Sequence, residues 1–213
     1  MRRDAVGGMV GLLAIAIALA ALPIAPAWPA ADAPTDVVRA YFVDHGKQFL
    51  MQTFLAWVGF VGFSRVLVGL ANVVIEGGER AAGHTAIVGT AVMTAALVFG
   101  NVPWAALAYE PPESADAVRA LWNVGLISAF NVAGISVALA LFPLGVGLLR
   151  TKQLPAYYTY MVLGTAVIGT VLATCFGRGG PMAPNGPIGM LSIVTLTAVL
   201  LVGSLLLLRK KVS

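Results

Sequence analysis

Six apolar runs constrain this chain more than any other feature. They fall at residues 5–27, 49–71, 85–108, 115–149, 156–176 and 188–208, each bounded by charged or Gly/Pro-rich residues. A helix needs about 20 apolar residues to cross the ~30 Å hydrocarbon layer of a bilayer. Within that layer every backbone polar group must be satisfied internally, which favours helices. Hydrophobic residues make up 59% of the chain and charged residues 10%, against about 45–50% and about 25% in soluble domains. The expected fold is all-α: a polytopic transmembrane bundle of about six spans, forming one domain over residues 1–213. Six spans use roughly 120 residues, which leaves loops and no separate soluble domain.

The breaks between runs have recognisable chemistry. Pro23 and Pro26 end the first run, which opens near Gly7 after a basic start. That segment reads either as an uncleaved first span or as a signal segment with small residues at Ala25-Pro26-Ala27; its length favours retention. Residues Trp28 to Lys47 are more polar, with a helix-start signal at Thr35-Asp36. Val37, Val38, Ala40, Tyr41 and Phe42 suggest an amphipathic turn on the membrane surface. The pair Gly77-Gly78 stops the second span, and Pro111-Pro112 separates the third from the fourth. Ser114 reads as an N-cap with Asp116 in the first turn, and Asp116 with Arg119 as a helical ion pair. The stretch Gly177 to Pro187 suggests a tight turn over the mouth of the bundle.

Charge sets the orientation. With the N-terminus inside and six alternating spans, the inner side carries nine basic residues: Arg2, Arg3, Arg65, Arg80, Arg150, Lys152, Arg209, Lys210 and Lys211. The outer side carries Arg39, Lys47, Arg119 and Arg178, beside six carboxylates: Asp32, Asp36, Asp44, Glu110, Glu113 and Asp116. This bias places both termini in the cytoplasm. It also explains the net charge of +4 without nucleic acid. Trp28, Trp104, Tyr109 and Trp122 near one boundary, and Tyr157, Tyr158 and Tyr160 near the other, suggest aromatic belts.

Chemistry-bearing residues are sparse in the runs. An intramembrane ionisable group is a functional flag, and Arg65 is the deepest. It can extend to the headgroups, pair with an acid, or meet a ligand. Asn101, Asn123, Ser128 and Asn131 are the remaining polar candidates. Asn123 and Asn131 are eight apart, on nearly one helical face, and could bond neighbouring helices or line an outward-facing cavity. His45 and His84 belong to opposite membrane surfaces, ~30 Å apart, which excludes joint ligation of a haem. The lone Cys175 permits no internal disulfide and reads as a small packing residue. No catalytic, metal or cofactor motif is recognisable.

Three stretches carry a resemblance. "LFPLGVGLLRTKQLPAYYTYMVLGTAVIGTV" holds a small-residue helix ending at Arg150, then Leu154-Pro155, Tyr158 and Leu163-Gly164. "FGRGGPMAPNGPIGM" with "SLLLLRKK" forms a Gly/Pro loop and closing span, and "YFVDHGKQFLMQTFLAWVGFVGF" a second span. Together they resemble a broad bacterial family of uncharacterised multi-span integral membrane proteins; the last span lacks the Trp often found there. The resemblance implies a multi-pass protein of the bacterial plasma membrane, and no activity.

Three functions from different classes remain open. Small-residue faces, such as Gly7 with Gly11 and Gly125 with Ala129 and Ala133, suggest an accessory or scaffold subunit. Its partners would be membrane lipids, other membrane subunits or a second copy. Asn123 and Asn131 suggest a binder or carrier of a lipophilic molecule. Glu113 and Asp116 suggest a membrane enzyme acting on lipid.

Overall fold

The computed structural model describes residues 3–177 and 179–209, without the side chains of Arg3 and Asp4. Of the charges counted above, Arg2, Arg178, Lys210 and Lys211 lie outside the described residues. Among these residues the chain is helical, with no strand. In order the helices are α1 (Arg3–Ala21), α2 (Thr35–Glu76), α3 (Arg80–Phe99), α4 (Val102–Tyr109), α5 (Ala115–Leu126), α6 (Ala133–Thr151), α7 (Ala156–Ala173) and α8 (Pro187–Arg209). A π-turn over Ile127–Val132 joins α5 to α6, and a short 3-10 helix, Gly180–Met182, precedes α8.

Among the described residues, five helical stretches are long and apolar enough to cross a membrane: Thr35–Glu76, Arg80–Tyr109, Ala115–Thr151, Ala156–Ala173 and Pro187–Arg209. The apolar part of α1, Ala5–Ala21, is shorter. Small residues set the packing. The Cβ that Gly62 of α2 lacks would run into Ala14 of α1. Gly89 of α3 lies against the backbone of Leu139 and Ala140. Where lipid replaces water, such close approach supplies the packing that hydrophobic burial cannot. α1 lies between α2 and α8, α3 between α2 and α6, and α7 between α6 and α8. Inside this ring Leu67, Leu70, Met93, Leu141, Leu144 and Tyr158 are fully buried.

One end of the bundle is level. Gly77, after α2, abuts Thr151 at the end of α6 and Gln153 just past it. Arg150 pairs with Glu79 at 3.4 Å, and α1 starts beside Ser204 and Leu208 near the end of α8. Arg80, Lys152 and Arg209 belong to this basic end.

The opposite end departs from the expected plan in three ways. The second helix does not begin near Phe49. No proline interrupts Thr35 to Glu76, and Val38, Phe42 and Phe49 share its buried face with Phe63 and Val66. The expected surface turn is therefore the start of a 42-residue helix, roughly 63 Å long at 1.5 Å per residue. A ~30 Å hydrocarbon layer covers only about half of that length. The third run is not continuous: Gly100 and Asn101 interrupt it, and Pro103 opens α4 as a separate helix. The fourth run is continuous but carries the π-turn.

These extensions form a head. Gln52 Nε2 donates to the Leu22 carbonyl just past α1, so residues 35–51 of α2 stand beyond the end of α1, and α2 packs against α4 and α5. Their core is aromatic. Trp104 and Trp122 have 0% and 1% of their surface exposed, and Trp28 meets Trp104 edge-on at 4.8 Å. Phe42 and Phe49 complete it. Trp28, Trp104 and Trp122 therefore build a second core and not a belt, because the extended α2 gives them a wall to pack against. Tyr109 remains 81% exposed. At the basic end Tyr157 and Tyr160 are exposed, whereas Tyr158 is buried and donates to the Val199 carbonyl at 3.1 Å.

Candidate functional site

The head rests on the bundle where three helices lose regularity together: at Gly100–Asn101, at the π-turn, and at the end of α7. The Gly100 backbone presses on the π-turn, since a Cβ there would lie 2.9 Å from the Ser128 carbonyl oxygen. A π-turn adds a residue to a helical turn, changes which side chains face inward, and often marks a functional position. Here it separates the two asparagines expected on one face. Asn123, before it, is exposed on α5; Asn131, within it, is 4% exposed.

Asn131 is the centre of this junction. At the end of α7 the Leu172 carbonyl accepts from the Cys175 amide at 3.0 Å, and the Asn131 side chain meets this carbonyl and those that follow it. Its Nδ2 donates to the carbonyls of Cys175 at 2.8 Å, Leu172 at 3.1 Å and Ala173 at 3.4 Å. A primary amide carries two protons, and the Cys175 backbone amide supplies a third donor to the Leu172 carbonyl. The Oδ1 of Asn131 is buried with no hydrogen-bond partner. An unpaired buried acceptor costs on the order of 1–3 kcal/mol, which the surrounding packing must offset.

The other candidates stand apart from this point or are satisfied locally. Asn101 is half-buried and donates to its own helix at the Leu97 carbonyl, 2.7 Å away. Ser128 is half-buried in the π-turn. Arg65 lies toward the basic end, its guanidinium within 3.7 Å of the place a Cβ on Gly7 would take. Thr90, Thr94, Thr170 and Ser204 donate to carbonyls four residues back in their own helices, so they offer no spare donor to a solute. His45 meets Tyr41 edge-on in the head and His84 sits at the start of α3. Glu113 and Asp116 are exposed around the start of α5. Among the described residues no cluster of three metal-ligating side chains occurs.

Two open grooves mark the flank. The larger, about 450 Å³, runs between α2 and α3 over Ser64, Val68, Thr90, Ala91, Thr94 and Ala95. The smaller, about 210 Å³, lies between α7 and α8 at Gly164, Thr165, Thr195 and Ala198. Neither includes Arg65 or the asparagines.

Sequence reasoning missed the strap joining α1 to α2, residues 22–34. Side chains of the head hold it through its carbonyls. Tyr41 donates to Pro26, Asn185 to Pro29, Trp122 to Ala31 and Arg119 to Ala33. Arg119 also donates to Thr35 Oγ1 at 3.2 Å, in place of the expected pairing with Asp116. Prolines at 23, 26, 29 and 34 keep such a segment extended and leave its carbonyls available, which is the signal that could have marked it.

Fold and site together define an all-helical bundle with several membrane-compatible helices and an aromatic head. No family model, curated protein or solved structure matches the chain.

Proposed function

We propose that the chain is a six-span integral protein of the bacterial plasma membrane, with both termini cytoplasmic, and that it serves as a non-enzymatic accessory or scaffold subunit of a membrane complex. α1 counts as the sixth span in this reading. Its support is the packing of Gly8 and Gly11 against Ser204 of α8 and Val66 of α2. The orientation rests on the collection of Arg80, Arg150, Lys152 and Arg209 at one end, following the positive-inside bias. Similarity to the bacterial multi-span family belongs to the same proposal.

The observation that carries the scaffold reading is the α2/α3 groove. Elsewhere this chain uses small residues to join helices, as at Gly62 with Ala14 and Gly89 with Leu139. Ala91 and Ala95, with Thr94 between them, form a similar face, yet they are open to the surroundings. The stretch containing α3 is also the least buried of the five membrane-compatible ones. A partner helix would bury that face.

The groove also favours one second reading, a binder of a lipophilic molecule, because 450 Å³ falls in the range of ligand sites, about 300–1,000 Å³. A photo-crosslinking residue at Ala95, with Val194 on α8 as control, separates the two in native membranes. A discrete protein adduct at 95 and not at 194 supports the scaffold. Adducts of lipid mass alone at 95 reject it in favour of the binder.

A further inference from the structure

We propose that α7 pairs with α7 of a second copy of this chain, crossing it at Gly164 in the α7/α8 groove. This is a different face from the α2/α3 groove, and the two readings share only the lipid around the bundle.

The first ground is Gly164 itself. Glycine weakens a helix relative to alanine, and elsewhere this chain offsets that with close contact. Among the described residues, every other glycine within an α-helix has another part of the chain within 4 Å of its missing Cβ. Gly164 has nothing there, and it is exposed. A lipid tail adapts to alanine as readily as to glycine, whereas a second helix needs the gap to bring its backbone close.

The second ground is Thr165, beside it. Thr165 is 3% exposed and lines the groove with Gly164, Thr195 and Ala198. Thr170 and Thr195 donate to carbonyls four residues back in their own helices. The Thr165 hydroxyl has no hydrogen-bond partner among the described residues. Its oxygen is not sealed either, since the covered, unpartnered side-chain atoms among those residues are Trp57 Nε1 and Asn131 Oδ1. It therefore opens on the groove. A hydrocarbon tail offers it no acceptor, whereas threonine hydroxyls in lipid bond across paired helices.

Size, depth and charge select the occupant. The groove, about 210 Å³, is smaller than ligand sites of about 300–1,000 Å³ and suits the side chains of a crossing helix. Copies of one membrane protein insert in one orientation, so two α7 helices run parallel with their Gly164 residues level. Val167, 51% exposed, shares the face of Gly164 one turn on and lies over the partner's gap. α7 carries no charged residue, so no like charges meet when it pairs with itself. The contact covers one helix face and is expected to part in dilute detergent, so the fold of a single chain does not depend on it.

Disulfide trapping in native membranes, in a Cys175→Ala background, tests the pairing. On mild oxidation Val167→Cys should form a disulfide-linked dimer in a yield at least about tenfold above that of Leu13→Cys, an exposed position on α1. Adding Gly164→Leu, which fills the gap, should lower the yield at 167 by about tenfold. Thr165→Val, which keeps the shape and removes the hydroxyl, should lower it severalfold. Equal yields at 167 and 13, or no dimer at 167, overturn the proposal, as does a yield that survives Gly164→Leu. A disulfide at 167 to a different protein overturns it in favour of a foreign helix. If Gly164→Leu does not fold, undiminished trapping with Thr165→Val overturns it. None of these outcomes alters the photo-crosslink at Ala95, so this pairing and the scaffold reading fail separately.

Discussion

Gly134 of α6 and Gly169 of α7 meet backbone to backbone. A Cβ on Gly134 would lie 2.7 Å from the Gly169 carbonyl oxygen, and a Cβ on Gly169 would lie 2.8 Å from that of Gly134. Neither neighbour is a side chain that can rotate away, so even one methyl group must push the helices apart. Gly169→Ala is expected to destabilise the bundle by about 1–3 kcal/mol. Gly164, five residues earlier on the same helix, has nothing within 4 Å of its missing Cβ. Gly164→Ala should be neutral or stabilising by up to about 1 kcal/mol, through helix propensity. Thermal unfolding of both variants in detergent gives the comparison, and an equal loss at both positions would reject the close contact.

Arg119 holds the strap to the head through Ala33 and Thr35. Arg119→Ala should cost about 1–3 kcal/mol and release the segment over residues 22–34. Limited proteolysis should then cut the chain there faster than in the parent. Arg119→Lys should restore little, because an ammonium does not reproduce the forked geometry of a guanidinium.

The thiol of Cys175 is fully covered, with its Sγ 3.4 Å from the Val171 carbonyl, so an alkylating reagent cannot reach it. Alkylation at neutral pH should therefore be slow in the folded chain. Stoichiometric labelling by a maleimide is expected only after denaturation. Rapid labelling of the native protein would show that the turn after α7 opens.

The aromatic head should be structurally necessary. Trp104→Ala removes a ring that touches Trp28, Trp122 and Phe130 and should cost about 3–5 kcal/mol. The near-ultraviolet circular dichroism of the head should collapse while helix content changes little.

Much of the bundle was legible in the sequence because lipid imposes a coarse rule. Runs of about 20 apolar residues bounded by Gly77-Gly78, Pro111-Pro112 or Arg150–Pro155 become helices, and Ser114 does cap α5 by accepting from the Ala117 amide. The head was not legible by that rule. Residues 35–48 carry enough charge to look like an amphipathic turn on the membrane surface, and only the phase of Val38, Phe42 and Phe49 shows that they continue the helix below. The π-turn was hidden for a different reason. Asn123 and Asn131 share a face only if 3.6 residues per turn hold between them, and one wider turn moves them apart. The three acceptors of Asn131 come from a segment more than 40 residues away in sequence, which spacing along one helix cannot reveal.

The proposed arrangement puts lipid around the bundle, the basic end in the cytoplasm and the head outside. The most direct measurement is labelling of intact bacterial cells by a membrane-impermeant maleimide in a Cys175→Ala background. Glu113→Cys places a thiol on the exposed loop of the head, and Gln153→Cys places one at the basic end. Labelling at 113 in intact cells, with labelling at 153 only after lysis, is the expected result. Labelling at 153 in intact cells, with 113 protected until lysis, would contradict the orientation, and free access to both would contradict a spanning bundle.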